Sequence, residues 1–156
     1  MTDRRLIDLQ HEYTRSAGMF EGRLRVLLLC AEHAEGRPRT WADWKNQNLN
    51  NLLAMAGRYN SLDPIVGYID RQVRNGLVHG TPILDRASAT CRFDDLKGSV
   101  TWTIHEFFDR TRDLTLAACA MVGFEDLHQL IHAHVVVHNI RSFESATNST
   151  LVKPNS

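Results

Sequence analysis

Arg71-Gln72-Val73-Arg74-Asn75-Gly76-Leu77-Val78-His79-Gly80 lies near the middle of a 156-residue chain. It reads as the C-terminal end of a helix, with Gly80 and then Pro82 closing it. On a wheel of about 100° per residue, Val66, Ile69, Val73 and Leu77 share one arc, a core stripe. Asp70, Arg71, Arg74, Asn75 and His79 occupy much of another. Asn75 and His79 are four apart and therefore neighbours on the helix surface. An arginine, an amide and an imidazole thus leave the helix in one general direction, close to its end. These groups suit work on a phosphodiester. Imidazole gives or takes a proton near neutral pH. Guanidinium stays charged and offers a planar fork of donors to phosphate oxygens. Cleaving RNA with its own 2′-hydroxyl needs that set and no metal.

Arg74-Asn75-Gly76-Leu77-Val78-His79 resembles the signature of the HEPN superfamily: Arg, four to six residues, then His, with a polar residue straight after the Arg. RNGLVHG is close to the form in bacterial HEPN proteins of defence and toxin systems. The resemblance covers the motif and the order of elements around it, not the whole chain. It implies a small helical bundle that pairs as a homodimer, bringing two Arg/His sets into one cleft that cuts RNA without metal or cofactor. Arg74, Asn75 and His79 would be catalytic and Arg71 would bind substrate. A regulatory or antitoxin protein, or a fused sensor domain, would be a partner. The competing reading is structural: Arg74 pairs with a nearby acid such as Asp70, and His79 merely caps the helix end. A catalytically silent module that binds a nucleotide or a protein partner is then the alternative function. Arg4 and Arg5 stand at the same spacing from His11, and His11-Glu12-Tyr13 mimics the His-x-Tyr tail of nucleotidyltransferase-paired HEPN toxins. That match sits inside the first helix with no helix stop behind it. His79 is followed by Gly80-Thr81 rather than x-Tyr, so modification of a tyrosine is not implied at the central motif.

Length predicts one domain with a sound core. Hydrophobic residues make up 43% and charged residues 23%, ordinary for a globular protein. Eighteen basic and 18 acidic side chains cancel. A nucleic-acid coat protein is normally basic, so any RNA contact must be local and salt-sensitive. Cys30, Cys91 and Cys119 are far apart and odd in number, which reads as reduced, mostly packed thiols in a cytoplasmic protein. The first ten residues carry charge without an apolar core behind them, so no signal peptide is expected. No apolar run approaches a membrane span.

The predicted fold is all-α: a four- to five-helix, mostly antiparallel bundle over 1–141, with a β-hairpin inserted after the third helix and a flexible polar tail at 142–156. The first helix runs from a cap at Thr2 or Asp3 to about His33, with Leu6, Leu9, Tyr13, Ala17, Phe20, Leu24, Leu27 and Leu28 as its stripe. Gly18 and Gly22 in it read as a tight helix crossing or a bend. The Arg23/Arg25 side reads as a solvated face or the wall of an RNA cleft. Gly36-Arg37-Pro38 breaks the helix. Thr40 with Asp43 opens the second, carrying Trp41, Trp44, Leu49, Leu52, Leu53 and Ala56. The amides of Asn46-Gln47-Asn48 and Asn50-Asn51 read as turn caps, water-facing groups or RNA contacts. Ser61-Leu62-Asp63-Pro64 starts the third helix, 64–79. Ala89–Phe93 and Ser99–Thr103 alternate as strands. Thr103 with Glu106 starts the fourth helix, 104–122, whose stripe includes Phe107, Phe108, Thr111, Leu114, Ala118 and Met121. A last helix at 124–141 carries His128, His132, His134 and His138. These are paired at a four-residue spacing that can hold a metal, but no cysteine or acidic partner stands at standard spacing.

Overall fold

The computed structural model describes residues 3–37, 39–80 and 82–123. Met1–Met121 form one unit. The predicted last helix, its four histidines and the polar tail lie outside the described residues. Helix α1, Asp3–Ala34, follows the reading closely. Leu6, Tyr13, Ala17, Phe20, Leu24 and Leu28 are all buried, at steps of three, four and seven. That spacing keeps them on one face of a 3.6-residue helix, so removing them from water drives its docking.

The second helix is two pieces. α2, Trp41–Trp44, is a single turn, and α3, Leu49–Ala56, restarts after it. Asp43 closes the start of α2 by accepting from the Thr40 backbone N–H at 2.8 Å and from its hydroxyl at 2.9 Å. Those two bonds, the backbone one first, hold the Asp43 carboxyl below its usual range. The amide-rich run makes the break. Asn48 caps α3, its Oδ1 accepting from Asn51 N at 3.0 Å. The two tryptophans therefore part: Trp44 is buried and Trp41 half-exposed.

The expected 64–79 helix is also broken. A 3-10 turn, Asn60–Leu62, leads into α4, Asp63–Val66, and α5, Arg71–His79, starts afresh. Gly67 ends α4, and Asp70 caps α5 by accepting from Gln72 N at 2.8 Å and Val73 N at 3.1 Å. Gly80 ends α5 in an extended conformation that any residue adopts, so the stop does not need a left-handed glycine.

The all-α prediction is overturned by a three-stranded antiparallel sheet in the order β1-β2-β3. β2, Thr90–Asp95, and β3, Gly98–Thr103, are the predicted hairpin, closed by a turn in which Gly98 takes φ +145°. β1, Ile83–Asp85, pairs with β2 from Ile83 opposite Arg92 to Asp85 opposite Thr90. A three-residue strand is too short to show alternation, which is why the sequence hid it. The sheet is a layer of the core and not an appendage. Cys91, Phe93 and Trp102 are buried on its inner side. Phe93 meets Phe107 edge-on at 5.0 Å between ring centres, and Tyr13 lies 5.9 Å from Phe107. Six helices and this sheet make the described fold a helix-rich α/β mixture.

The last described helix, α6, spans 104–123. Thr103 Oγ1 accepts from Glu106 N at 3.0 Å, as a helix-opening threonine should. Phe107, Thr111, Leu114, Ala118 and Met121 are buried, but Phe108, read as core, is 56% exposed. A buried Glu32 near the end of α1 accepts from Tyr59 Oη at 2.6 Å and from Arg37 Nε at 3.2 Å. The tyrosine bond first, then the Arg37 charge, holds its carboxyl below the usual range. Among the described residues no helix is long and apolar enough to cross a membrane.

The two helical glycine settings differ. A Cβ on Gly76 would lie 3.0 Å from Phe93 Cβ and 3.2 Å from Asp94 O, whereas one on Gly18 meets nothing within 4 Å among the described residues. Among the described residues the close approach is not at Gly18 or Gly22 but where Gly76 meets strand β2. Gly76→Ala is expected to destabilise the fold by about 1 to 3 kcal/mol through overpacking. Gly18→Ala should stabilise it by about 1 kcal/mol through helix propensity. Urea unfolding of both variants checks the pair, and a stabilised Gly76→Ala would contradict the close helix–strand contact.

Candidate functional site

Two anchors place α5. At its start, the buried Tyr13 of α1 accepts from Asp70 N at 3.1 Å and donates to Asp70 O at 3.3 Å. Burial pushes the Tyr13 hydroxyl well above its ordinary pKa, so it stays a neutral donor and acceptor. This gives the tyrosine of His11-Glu12-Tyr13 a packing role. In its middle, Gly76 sits against the β2 backbone. Side chains from Arg71 to His79 are then held along a fixed line between α1, the start of α3 and the β2–β3 turn.

Asp70 is spent on the α5 cap and does not pair with Arg74. Arg74 instead reaches across to α1, donating from Nη2 to Glu21 Oε2 at 2.9 Å. Its Nη1 donates to Asn75 Oδ1 at 3.1 Å. Glu21 is shared, its Oε1 accepting from Arg25 Nη2 at 2.6 Å. Arg25 Nη2 also donates to Gln47 O at 2.9 Å. Arg25 is therefore not on a bare solvated face but part of this cluster. Arg71 Nη1 donates to Asn50 Oδ1 at 3.0 Å, which brings the amide-rich segment to the same place.

Asn75 turns its amide the other way, Nδ2 donating to Asp95 Oδ2 at 3.2 Å. Asp95 lies at the end of β2. Its carboxyl is held below the ordinary aspartate range by that amide first, then by the Leu96 N–H and the charges of Arg71 and His79. His79 is the last residue of α5 and is exposed. All four sequence-predicted residues thus gather on one helix, with Arg71, Asn75 and His79 facing Asp95, and Arg74 turned toward Glu21.

The sequence reading missed Glu21 and Asp95 as members of this site and held Asn50 only as one of several amides open to RNA contact. Glu21 is 53 residues from Arg74, and no local spacing announces the pair. Asp95 reads as turn chemistry, its oxygen also accepting from Leu96 N at 2.6 Å. Three guanidiniums, of Arg25, Arg71 and Arg74, face two carboxylates, of Glu21 and Asp95. The Asp70 carboxylate at the start of α5 makes a third, so the cluster balances in charge, as the whole chain does. Among the described residues no group of three or more His, Cys, Asp or Glu side chains is placed to hold a metal.

Compared with known proteins, the chain matches no family model, no curated protein and no solved structure.

The Asp95 carboxylate is lowered in the folded chain, so its share of stability is present above the ordinary aspartate pKa of about 3.9. That share is lost as pH falls through the lowered folded value. Asn75→Ala removes the largest cause and is expected to move the Asp95 titration upward, toward that ordinary value. Carboxyl carbon NMR across pH 2 to 6 measures it, and an unmoved Asp95 would contradict the Asn75–Asp95 contact.

Proposed function

We propose that the chain is a metal-independent endoribonuclease of HEPN type, cutting RNA by attack of the 2′-hydroxyl on the adjacent phosphorus. The observation that carries this is an exposed His79 at the open end of the nine-residue helix that also bears Arg71, Arg74 and Asn75. The resemblance of Arg74-Asn75-x-x-x-His79 to the HEPN signature supports it, as does the gathering of three guanidiniums around that helix. His79 takes the proton from the 2′-hydroxyl or returns one to the departing 5′-oxygen. The 2′-oxygen bonds to phosphorus as the 5′-oxygen leaves, so the upstream product ends in a 2′,3′-cyclic phosphate. Arg74 has five N–H donors, and the bonds to Glu21 and Asn75 use two of them. The others are directed at the phosphate, where charge grows in the transition state. Arg71 draws the neighbouring phosphate by charge, and Asn75 orients His79 or the phosphate.

Further parts of the proposal follow the resemblance. The working form is a homodimer with two motifs in one cleft near the symmetry axis. The setting is phage defence or a toxin system in the cytoplasm, with a regulatory or antitoxin protein or a fused sensor domain as partner. One observation favours a second reading, a catalytically silent module binding a nucleotide or a protein. Arg74 is already held by a carboxylate and an amide of its own chain.

The test is cleavage of RNA in EDTA by the purified protein, Arg74→Ala and His79→Ala. The parent should yield cyclic phosphate ends, and His79→Ala should lose about 10²- to 10⁴-fold in rate, the usual weight of one general acid or base. Equal activity in all three proteins would refute the assignment. RNA or nucleotide binding without cleavage, even on expression in cells, would favour the silent module.

A further inference from the structure

We infer that Glu21, on α1, is the positioning residue that sets the Arg74 guanidinium for phosphate. Arginine has a long, freely rotating side chain, and a catalytic fork is useful only when its plane is fixed. Two bonds fix this one: Nη2 to Glu21 Oε2 at 2.9 Å and Nη1 to Asn75 Oδ1 at 3.1 Å. Asn75 follows Arg74 on the same helix, so among the described residues it is Glu21 that ties the guanidinium to a second element. The carboxylate is the least exposed member of the ion-pair set. The Glu21 side chain is 12% exposed, Arg25 16% and Arg74 27%.

A carboxylate against an arginine is also what a competitor for phosphate looks like. Here Glu21 is not free to be one. Its other oxygen holds Arg25 at 2.6 Å, and Arg25 Nε is buried without an acceptor. Swinging Glu21 away would leave Arg25 still less satisfied, a costly state for a partly buried charge. Arg25 is in turn pinned to the Gln47 carbonyl at 2.9 Å. Glu21 therefore stays put when phosphate arrives, and Arg74 meets the ligand with its remaining donors. The structure thus assigns α1 a share in the site for which the Arg-x4-His spacing has no place.

The kinetic part of the test rests on the ribonuclease reading, so a second readout is independent of it. Glu21→Gln keeps the shape and removes the charge. Cleavage of a short RNA in EDTA is expected to lose about ten- to a hundredfold in kcat, the scale of a misplaced catalytic group, with KM within a few fold. An unchanged kcat, or tighter binding of a non-cleavable 2′-deoxy oligonucleotide, would overturn the inference, the second by making Glu21 a competitor. Should the parent protein cut no RNA, NMR of the arginine Nη groups still decides. Slowed guanidinium rotation at Arg74 is expected in the parent and should be lost in Glu21→Gln. Equal rotation in both proteins would overturn the positioning role. If Glu21→Gln fails to fold, Glu21→Asp withdraws the carboxylate by one methylene and is judged by the same two readouts.

Discussion

Where α5 crosses β2, a side chain on residue 76 would have 3.0 Å to share with Phe93 Cβ and 3.2 Å with the Asp94 carbonyl. Glycine removes that conflict, and the helix backbone settles onto the strand. Everything proposed for the site depends on this seat. It brings Asn75 within 3.2 Å of Asp95 and leaves His79 exposed at the helix end. It also turns Arg74 toward α1. The glycine inside the Arg-to-His interval is therefore a packing device.

The second constraint is α1. Tyr13 fixes the start of α5 through both backbone groups of Asp70, and two turns further along α1 Glu21 fixes Arg74. A helix clamped at its start by one layer and in its middle by another has little freedom left. That is what a catalytic set requires, since side chains on a rigid element hold their geometry better than those on a loop. It is equally what a structural ion pair requires, and for this reason the Arg74–Glu21 bond is the feature on which the enzymatic and silent readings diverge.

Much of the fold was legible. The α1 stripe, the Thr40–Asp43 and Thr103–Glu106 helix starts and the β2–β3 hairpin all follow local rules of period and capping. What failed was not local in the same way. The second and third helices were read through their breaks because apolar spacing continues across them. Asn48 and Asp70, the residues that restart α3 and α5, are short polar side chains that cap only once the chain has turned. β1 gains its strand character from pairing with β2, and three residues cannot announce that. Phe108 lies one step from the buried Phe107, and a broad apolar face does not say where its rim falls. At the site, the four residues on α5 could be found by spacing, whereas Glu21, Asn50 and Asp95 come from elements that only the tertiary fold brings near.

The central claim is that this helix cuts RNA by using the 2′-hydroxyl as nucleophile. The most direct measurement offers the protein, in EDTA, two oligonucleotides of one sequence. One is unmodified RNA and the other carries 2′-O-methyl at every sugar. Cleavage of the first with the second left intact is the predicted result. Cleavage of both would contradict 2′-hydroxyl attack, and cleavage of neither, with a cleaved positive control, would contradict the ribonuclease reading itself.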